Sequence, residues 1–553
     1  MKKQLLLVVG IILISTMVFI GCGGRASDTS DPRYPINISI YHETVGGNTQ
    51  PAANNPIYQY IEREFNVTFT WDLLVGDARQ KQGVMIASGD YPDIVELRGN
   101  EWIEAGALIP LQDLIMEHGP RIYELYKDIW EMMKSADGNI YYLVNYGVHQ
   151  GINHDPNYNQ VAFYIQKEIL REAGYPRIRT VDEYFNLIRD YYRRNPTING
   201  QPTVPFAILT DDWRAFELWN PPNFLAGNPN DGNGMVNPNT YEYQAFFTLD
   251  ISRRWFQLLN QLDKEGLIDR TSFTDTYDQY MAKVAAGRLL GHSIQGWQFQ
   301  SFDNANRDRG ENNRTMAPLA VTFDASIQPW YRNRDIPNLL RGMGITTSAQ
   351  DPVRIIRFIN ELLEERHQRT IHWGIEGEHW QWGANNVPYR TEAQRANWQN
   401  QQWQRENRGL LLGDIFPKIQ GSFSDGNPSD IGFLLSEREA TLLPEDLELF
   451  AAYGVSSYNA LIDPNPRPNY PWFPTWNMEY ATPPDGSAAQ IALARMEQIM
   501  KQRLPQMILA PTAQFSTLWD QYVAEMEAAG LATYNAHMQA ELNKRLIEWN
   551  IRR

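Results

Sequence analysis

Trp297 stands directly after Gly296 and a short run, residues 289–294, that reads as a strand. An indole at the end of a strand can serve as a plate. A sugar has an apolar C–H face and polar edges, so an aromatic ring covers the face while amides and carboxylates take the hydroxyls. The ordinary alternative is that Trp297 fills the core. Glu43, Arg98 and Trp102 are placed comparably, the first after an apolar run at 36–40 and the other two after a run at 93–97. Each has a plain use as well: solvated loop acid, surface cation and helix packing respectively.

The same survey excludes most covalent chemistry. Cys22 is the one thiol in 553 residues, and neither a G-x-S-x-G elbow nor a G-x-x-x-x-G-K-[ST] phosphate loop occurs. His367, His372, Glu376, Glu378 and His379 cluster in sequence but lack the H-E-x-x-H pair, and Gly374 and Gly377 break the helical face that a zinc site of that kind needs. No metal or cofactor is expected. With 65 acidic side chains, a carboxylate pair at glycosidase separation stays open as an alternative.

These residues must be carried by a large folded chain. The balance of 49 basic against 65 acidic residues gives a net charge of −16, and no basic patch offsets it, which argues against nucleic acid as a partner. The first folded stretch alternates strand-like runs at 36–40, 67–71 and 93–97 with amphipathic helices at 56–65 and 77–87. That order predicts βαβ units and an α/β sheet whose ligand crevice lies at the carboxyl ends of the strands. Further on, Thr180 and Glu183 have capping-box spacing. Asp351-Pro352 opens a helix with Ile355, Ile359, Leu362 and Leu363 on one face. Residues 220–240, dense in Asn, Pro and Gly, read as a surface loop. Residues 391–408, rich in Gln, Asn and Arg, show neither a helical stripe nor a strand alternation and read as an irregular insertion. Three helices, over 487–503, 512–528 and 533–549, close the chain, with Gly530 capping the middle one.

The amino terminus has the layout of an export signal. Lys2 and Lys3 precede a mostly apolar stretch from Leu5 to Ile20, 16 residues long and shorter than the roughly 20 that span a bilayer. Gly21-Cys22 follows at once, and this resembles a bacterial lipobox, which implies a diacylglycerol on the Cys22 sulfur; Phe19 and Ile20 depart from the usual pattern. Residues 23–35 read as a flexible tether.

Ser88-Gly-Asp-Tyr-Pro-Asp-Ile94 and Gly106-Ala-Leu-Ile-Pro-Leu111 belong to a longer series of motifs. Ala136-Asp-Gly-Asn-Ile-Tyr141, Glu265-Gly-Leu-Ile-Asp269, Ala285-Ala-Gly-Arg288 leading to Ile294-Gln-Gly-Trp297, and Gly374-Ile-Glu-Gly-Glu-His-Trp380 follow in order. Together they resemble the family 1 extracellular solute-binding proteins of ABC transporters, specifically the LipO-like lipoproteins, over nearly the whole mature chain. The resemblance implies an α/β, two-lobed periplasmic-binding-protein-like fold with discontinuous lobes and a helical carboxyl-terminal region. It divides the chain into a signal peptide (1–21), lipidated Cys22 and tether (22–35), a first lobe (36–150 and 343–430) and a second lobe (151–342 and 431–553). It places Tyr146 near the first crossing between lobes and Trp213 in the second lobe, adding both to the ligand candidates. It makes residues 374–380 a structural turn. Asp93 reads as a turn-fixing residue, and Trp330, Trp472 and Trp476 either wall the cleft or clamp loops, the clamp being the favoured reading.

The implied function is a non-enzymatic one: a monomeric, membrane-anchored lipoprotein that captures a small polar solute, an oligosaccharide for preference, and delivers it to the permease subunits of an ABC transporter. A secreted carbohydrate-active hydrolase and a surface lipoprotein without a small ligand are the two alternatives.

Overall fold

The structure is a computed structural model that describes residues 33–43, 50–98, 100–135, 137–154, 157–332, 336–339, 341–463, 470–481, 483–484, 486–549 and 551. The export signal, Cys22 and most of the tether lie outside the described residues.

Two open sheets organise the chain. The first contains β1 (Ile36–His42), β2 (Val67–Leu73), β3 (Ile94–Arg98), β4 (Tyr142–Val144) and β9 (Arg341–Ile345), in the order β2-β1-β3-β9-β4. β1 runs parallel to both β2 and β3, whereas β9 is antiparallel to β3 and β4. The second contains β5 (Val161–Gln166), β6 (Val204–Ala207), β7 (Leu289–Gln295) and β8 (Met316–Leu319), in the order β8-β5-β7-β6. Here β6 and β7 are parallel, and β5 is antiparallel to its two neighbours.

Each sheet has its own core. The first gathers Ile38, Ile40, Ile57, Ile61 and Ile94 with the distant Met343, Ile345, Ile359, Leu411 and Phe416. The second gathers Phe163, Ile165, Phe206, Leu289 and Phe299 with Leu449, Met496, Trp519 and Met538. The chain therefore builds two lobes from discontinuous segments. Helix Pro352–Leu362 shows how a distant segment joins the first core. Pro352 sits in its first turn, where a missing N–H costs nothing, and the Asp351 carboxylate caps the Arg354 N–H at 2.9 Å. Ile355, Ile356, Phe358, Ile359 and Leu362 of that helix are fully buried, each contributing about 1.5–3 kcal/mol by removal from water.

Local signals act where expected. Thr180 and Glu183 form the reciprocal capping box of helix Val181–Arg194. Gly530 ends helix Phe515–Ala529 at φ 110°, a left-handed value that glycine adopts without strain. Asp93 does more than shape its turn: its carboxylate accepts from the backbone of Ser39 at 2.8 Å and of Gln350 at 2.9 Å, tying three segments of the first lobe.

Two expectations are corrected. Residues 220–240 are not a surface loop. Helix Pro221–Leu225 is buried throughout, and strand Gly234–Val236 pairs with Tyr243–Ala245. The buried Asp231 carboxylate accepts from Trp472 Nε1 at 3.0 Å, and Trp219 Nε1 reaches Asn233 at 3.3 Å, so one distant and one nearby tryptophan order this polar stretch. Residues 391–408 are not irregular either. Thr391 and Gln394 form a capping box for helix Glu392–Gln399, and Asn400 caps helix Gln401–Asn407. Trp398 sits between the guanidinium groups of Arg390 at 3.8 Å and Arg408 at 4.3 Å, which organises a segment without an apolar stripe.

Candidate functional site

In the second lobe, β6 and β7 lie side by side and parallel, and each delivers a tryptophan beyond its carboxyl end. β7 runs straight into helix Gly296–Asp308. A Cβ on Gly296 would fall 2.5 Å from Tyr164 Oη and 2.8 Å from Asn159 Cα, so only glycine permits this approach. The Gly296 and Trp297 N–H groups donate to Gln160 and Asn159 carbonyls at 3.0 and 2.9 Å. Thus the start of the helix is pinned to the segment entering the second lobe, and the Trp297 indole is left 47% exposed. Trp213, in the short helix Asp212–Ala215 after β6, is 45% exposed. The two indoles are parallel, 6.0 Å between centroids and 6° between planes.

The surroundings hold this pair in place. Phe216 stacks on Trp213, and Arg214 lies 4.6 Å from the Trp213 ring and 4.1 Å from that of Tyr277. The Tyr277 hydroxyl donates to the Gln298 carbonyl. Beneath, the buried Glu217 carboxyl accepts the Gln295 N–H at 2.9 Å and the Gln298 side-chain amide. Burial pushes its pKa up to about 8, against the lowering by those two hydrogen bonds. Two large rings kept half in water on a rigid, polar-rimmed base form a surface for a flat apolar face.

In the first lobe the carboxyl end of β1 carries His42 and Glu43. Fully buried His42 contacts Glu96 Oε2 at 2.6 Å through Nδ1 and Asp414 Oδ2 at 3.1 Å through Nε2. Arg341, the first residue of β9, closes the ring by pairing with Glu96 at 2.7 Å and Asp414 at 3.1 Å. Burial alone opposes charge on His42, but hydrogen bonds to Asp414 and Glu96 outweigh it and raise its pKa to about 9. The Tyr146 ring lies 4.5 Å from the Arg341 guanidinium and 4.0 Å from Lys418 Nζ, with its hydroxyl donating to Asp414. Burial lowers Lys418 to about 8, although Asp414 opposes this. Asp414 and Lys418 also line a cavity of about 330 Å³ with His372 and Arg408.

Of the expected site residues, Trp213 and Trp297 are brought together. Tyr146 and Glu43 join the ionic cluster: the buried Glu43 donates its backbone N–H to Glu96 Oε2 at 2.9 Å. Arg98 ends β3, with its backbone opposite Arg341. Trp102 is corrected to core packing. It is fully buried, edge-on to Tyr91 at 5.9 Å and tilted against Tyr41 at 6.4 Å, and presents no surface to a ligand. Residues 374–380 form a tight turn in which His379 Nδ1 accepts the Ile375 N–H at 3.0 Å and Trp380 Nε1 donates to the Gly374 carbonyl at 3.0 Å. Trp472 is buried and bonded to Asp231.

Sequence reasoning missed His42, Glu96, Arg341, Asp414 and Lys418, and around the indoles Arg214, Glu217 and Tyr277. His42 alone left a signal, standing beside Glu43 at a strand end. Among the described residues there is no group of three or more His, Cys, Asp or Glu that could hold a metal ion, and no helix long and apolar enough to cross a membrane.

No family profile matches the chain. The fructooligosaccharide ABC transporter substrate-binding protein FusA of Streptococcus pneumoniae is 22% identical over 333 residues, 56% of this chain and 60% of FusA. The match thus spans about three fifths of that relative's length. Solved structures resemble the whole described fold. The alginate-binding protein AlgQ2 superimposes at TM-score 0.63 and 18% identity, covering 92% of this chain and 98% of AlgQ2. FusA in complex with kestose gives 0.62 and 17%, over 92% and 99%. An HMO-binding, ABC-transporter-associated solute-binding protein from Bifidobacterium longum infantis gives 0.64 and 16%, again over 92% and 99%. The chain has the two-lobed fold of these solute-binding proteins.

Proposed function

We propose that this protein is the solute-binding component of an ABC transporter and that its ligand is an oligosaccharide held between the lobes. The observation that carries the reading is the parallel, half-exposed pair Trp213 and Trp297 at the carboxyl ends of adjacent parallel strands. Two parallel plates offer successive pyranose or furanose faces an apolar platform, and the Arg214 and Tyr277 edges supply polar partners for hydroxyls. Across the cleft, Tyr146, Glu43 and Arg98 of the first lobe are the proposed counterparts, backed by the His42–Asp414–Arg341 cluster. Solved relatives of the same fold carry glycans: FusA with kestose and NgtS of Streptococcus pneumoniae with Man5GlcNAc.

In this reading the protein binds and releases its guest unchanged. Closure is favoured only by contacts made to both lobes at once, and the resulting closed form is what permease subunits recognise. The lobes are divided at residues 150/151, 342/343 and 430/431. The mature chain acts as a monomer on the outer side of the membrane, tethered by acyl chains on Cys22; two or more chains suffice for stable anchoring. A thermal-shift screen of fructo-, manno- and human-milk-type oligosaccharides tests the binding claim, since a ligand at 100 times its Kd stabilises by about 2.7 kcal/mol. A shift by one class, confirmed by calorimetry, supports the reading; release of shorter sugars from the same compounds contradicts it.

A further inference from the structure

A cavity of about 300 Å³ lies between the segment 390–399 and the second core. Arg390, Arg395 and Trp398 wall it from the segment that precedes the last crossing, and Phe450 and Tyr458 from the second core. Arg307, in the last turn of helix Gly296–Asp308, completes it. Four guanidinium groups line this space, those of Arg307, Arg390, Arg395 and Arg438, against two carboxylates, Asp430 and Glu437. That is a local excess of positive charge in a chain of net charge −16.

Glu437 is already engaged, and Asp430 offsets part of the Arg390 charge without a hydrogen bond to it. Arg395 grips Glu437 with two bonds of 3.0 Å, and the Arg390 backbone N–H donates to the same carboxylate at 3.0 Å. Asp430 accepts the Gly432 N–H at 2.8 Å. Arg307 donates to the Thr441 carbonyl at 3.1 Å, and Arg438 Nη2 to that of Ser456 at 3.3 Å. Donors are left over. Arg390 is only 3% exposed and its guanidinium stacks on Trp398, yet its Nε and Nη2 have no hydrogen-bond partner among the described residues, and the same holds for Arg438 Nε. A buried guanidinium with idle donors is costly, and its planar fork suits the oxygens of a carboxylate, sulfate or phosphate.

We propose that this cavity is a second binding site, distinct from the indole pair, that takes a small oxyanion group on Arg390 and Arg438. Trp297 and Arg307 stand at opposite ends of one helix, about 15 Å apart at 1.5 Å per residue. The cavity, lined by Arg307, is therefore at the far end of this helix from the sugar platform.

The test uses the purified protein in buffer free of multivalent anions, titrated with sodium sulfate, inorganic phosphate or citrate at constant ionic strength set by chloride. Saturable heat and a saturable rise in Tm with at least one of the three are expected, the tetrahedral and carboxylate arms identifying the source chemistry. Arg390→Gln abolishes the response and Arg438→Gln weakens it about tenfold, the loss of one charge-assisted hydrogen bond. Circular dichroism checks that both variants fold, and Arg438→Gln alone decides if Arg390→Gln does not. A response that merely tracks chloride, no response to any of the three anions, or an unchanged response in Arg438→Gln overturns the proposal.

Discussion

The Trp213 and Trp297 rings are parallel to within 6°, yet they follow two different strands that lie far apart in the sequence. What aligns them is the parallel pairing of β6 with β7 and the glycine at 296. Substituting either indole by alanine is expected to weaken oligosaccharide binding by about 2 kcal/mol, roughly thirtyfold. Because both side chains are half in water, the Tm without sugar changes little. Titration calorimetry and a melting curve on W213A and W297A check both halves.

Gly296→Ala attacks the same platform through the backbone. Its Cβ meets Tyr164 Oη and Asn159 at 2.5 and 2.8 Å, so the first turn of the helix must shift. Overpacking of this kind costs about 1–3 kcal/mol. The expected outcome, read by denaturant unfolding and calorimetry, is lost stability together with lost affinity, in contrast to W297A.

Glu217 gives a pH signature. Its pKa is raised by burial to about 8, above the ordinary glutamate value, so the folded state holds a proton that the unfolded state releases. Stability from this group is present below about pH 4.5 and is lost as pH rises through about 8. Glu217→Gln keeps an acceptor for Gln295 and Gln298 without the ionisation. It should be near neutral at pH 5 and stabilising by a few kcal/mol at pH 9, flattening the curve of stability against pH.

How much of this is readable in the chain depends on how local the cause is. Thr180 with Glu183, Pro352 after Asp351, and Gly530 each act within one helical turn, and the structure uses them as their types predict. Trp102 and Trp297 both follow a strand, so their surroundings, not their spacing, separate them: Tyr41 and Tyr91 close over the first, whereas the second stays half in water. Residues 220–240 read as irregular because part of their order comes from Trp472, a contact no local pattern announces, whereas residues 391–408 lack an apolar stripe and carry their local signal in the caps at Thr391 and Asn400. The His42–Asp414 pair joins segments at opposite ends of the first lobe and leaves no local trace for the same reason.

His42 gives a second signature, of the opposite chemical kind. Its pKa is raised to about 9 by Asp414 and Glu96 against the effect of burial. Its stabilising contribution is complete below about pH 6.5 and is lost as pH rises through about 9. In NMR titrations the His42 ring should stay protonated past pH 8. Asp414→Asn removes one of the two carboxylates that hold the charged ring, leaving Glu96 in place, and should destabilise the fold and bring the His42 midpoint down.

Small-angle scattering of the protein alone, and then saturated with an oligosaccharide whose binding calorimetry has established, addresses the mechanism itself. Two lobes that clamp a guest must become more compact, with a smaller radius of gyration and a shortened maximum dimension. Superimposable curves at full occupancy contradict the account.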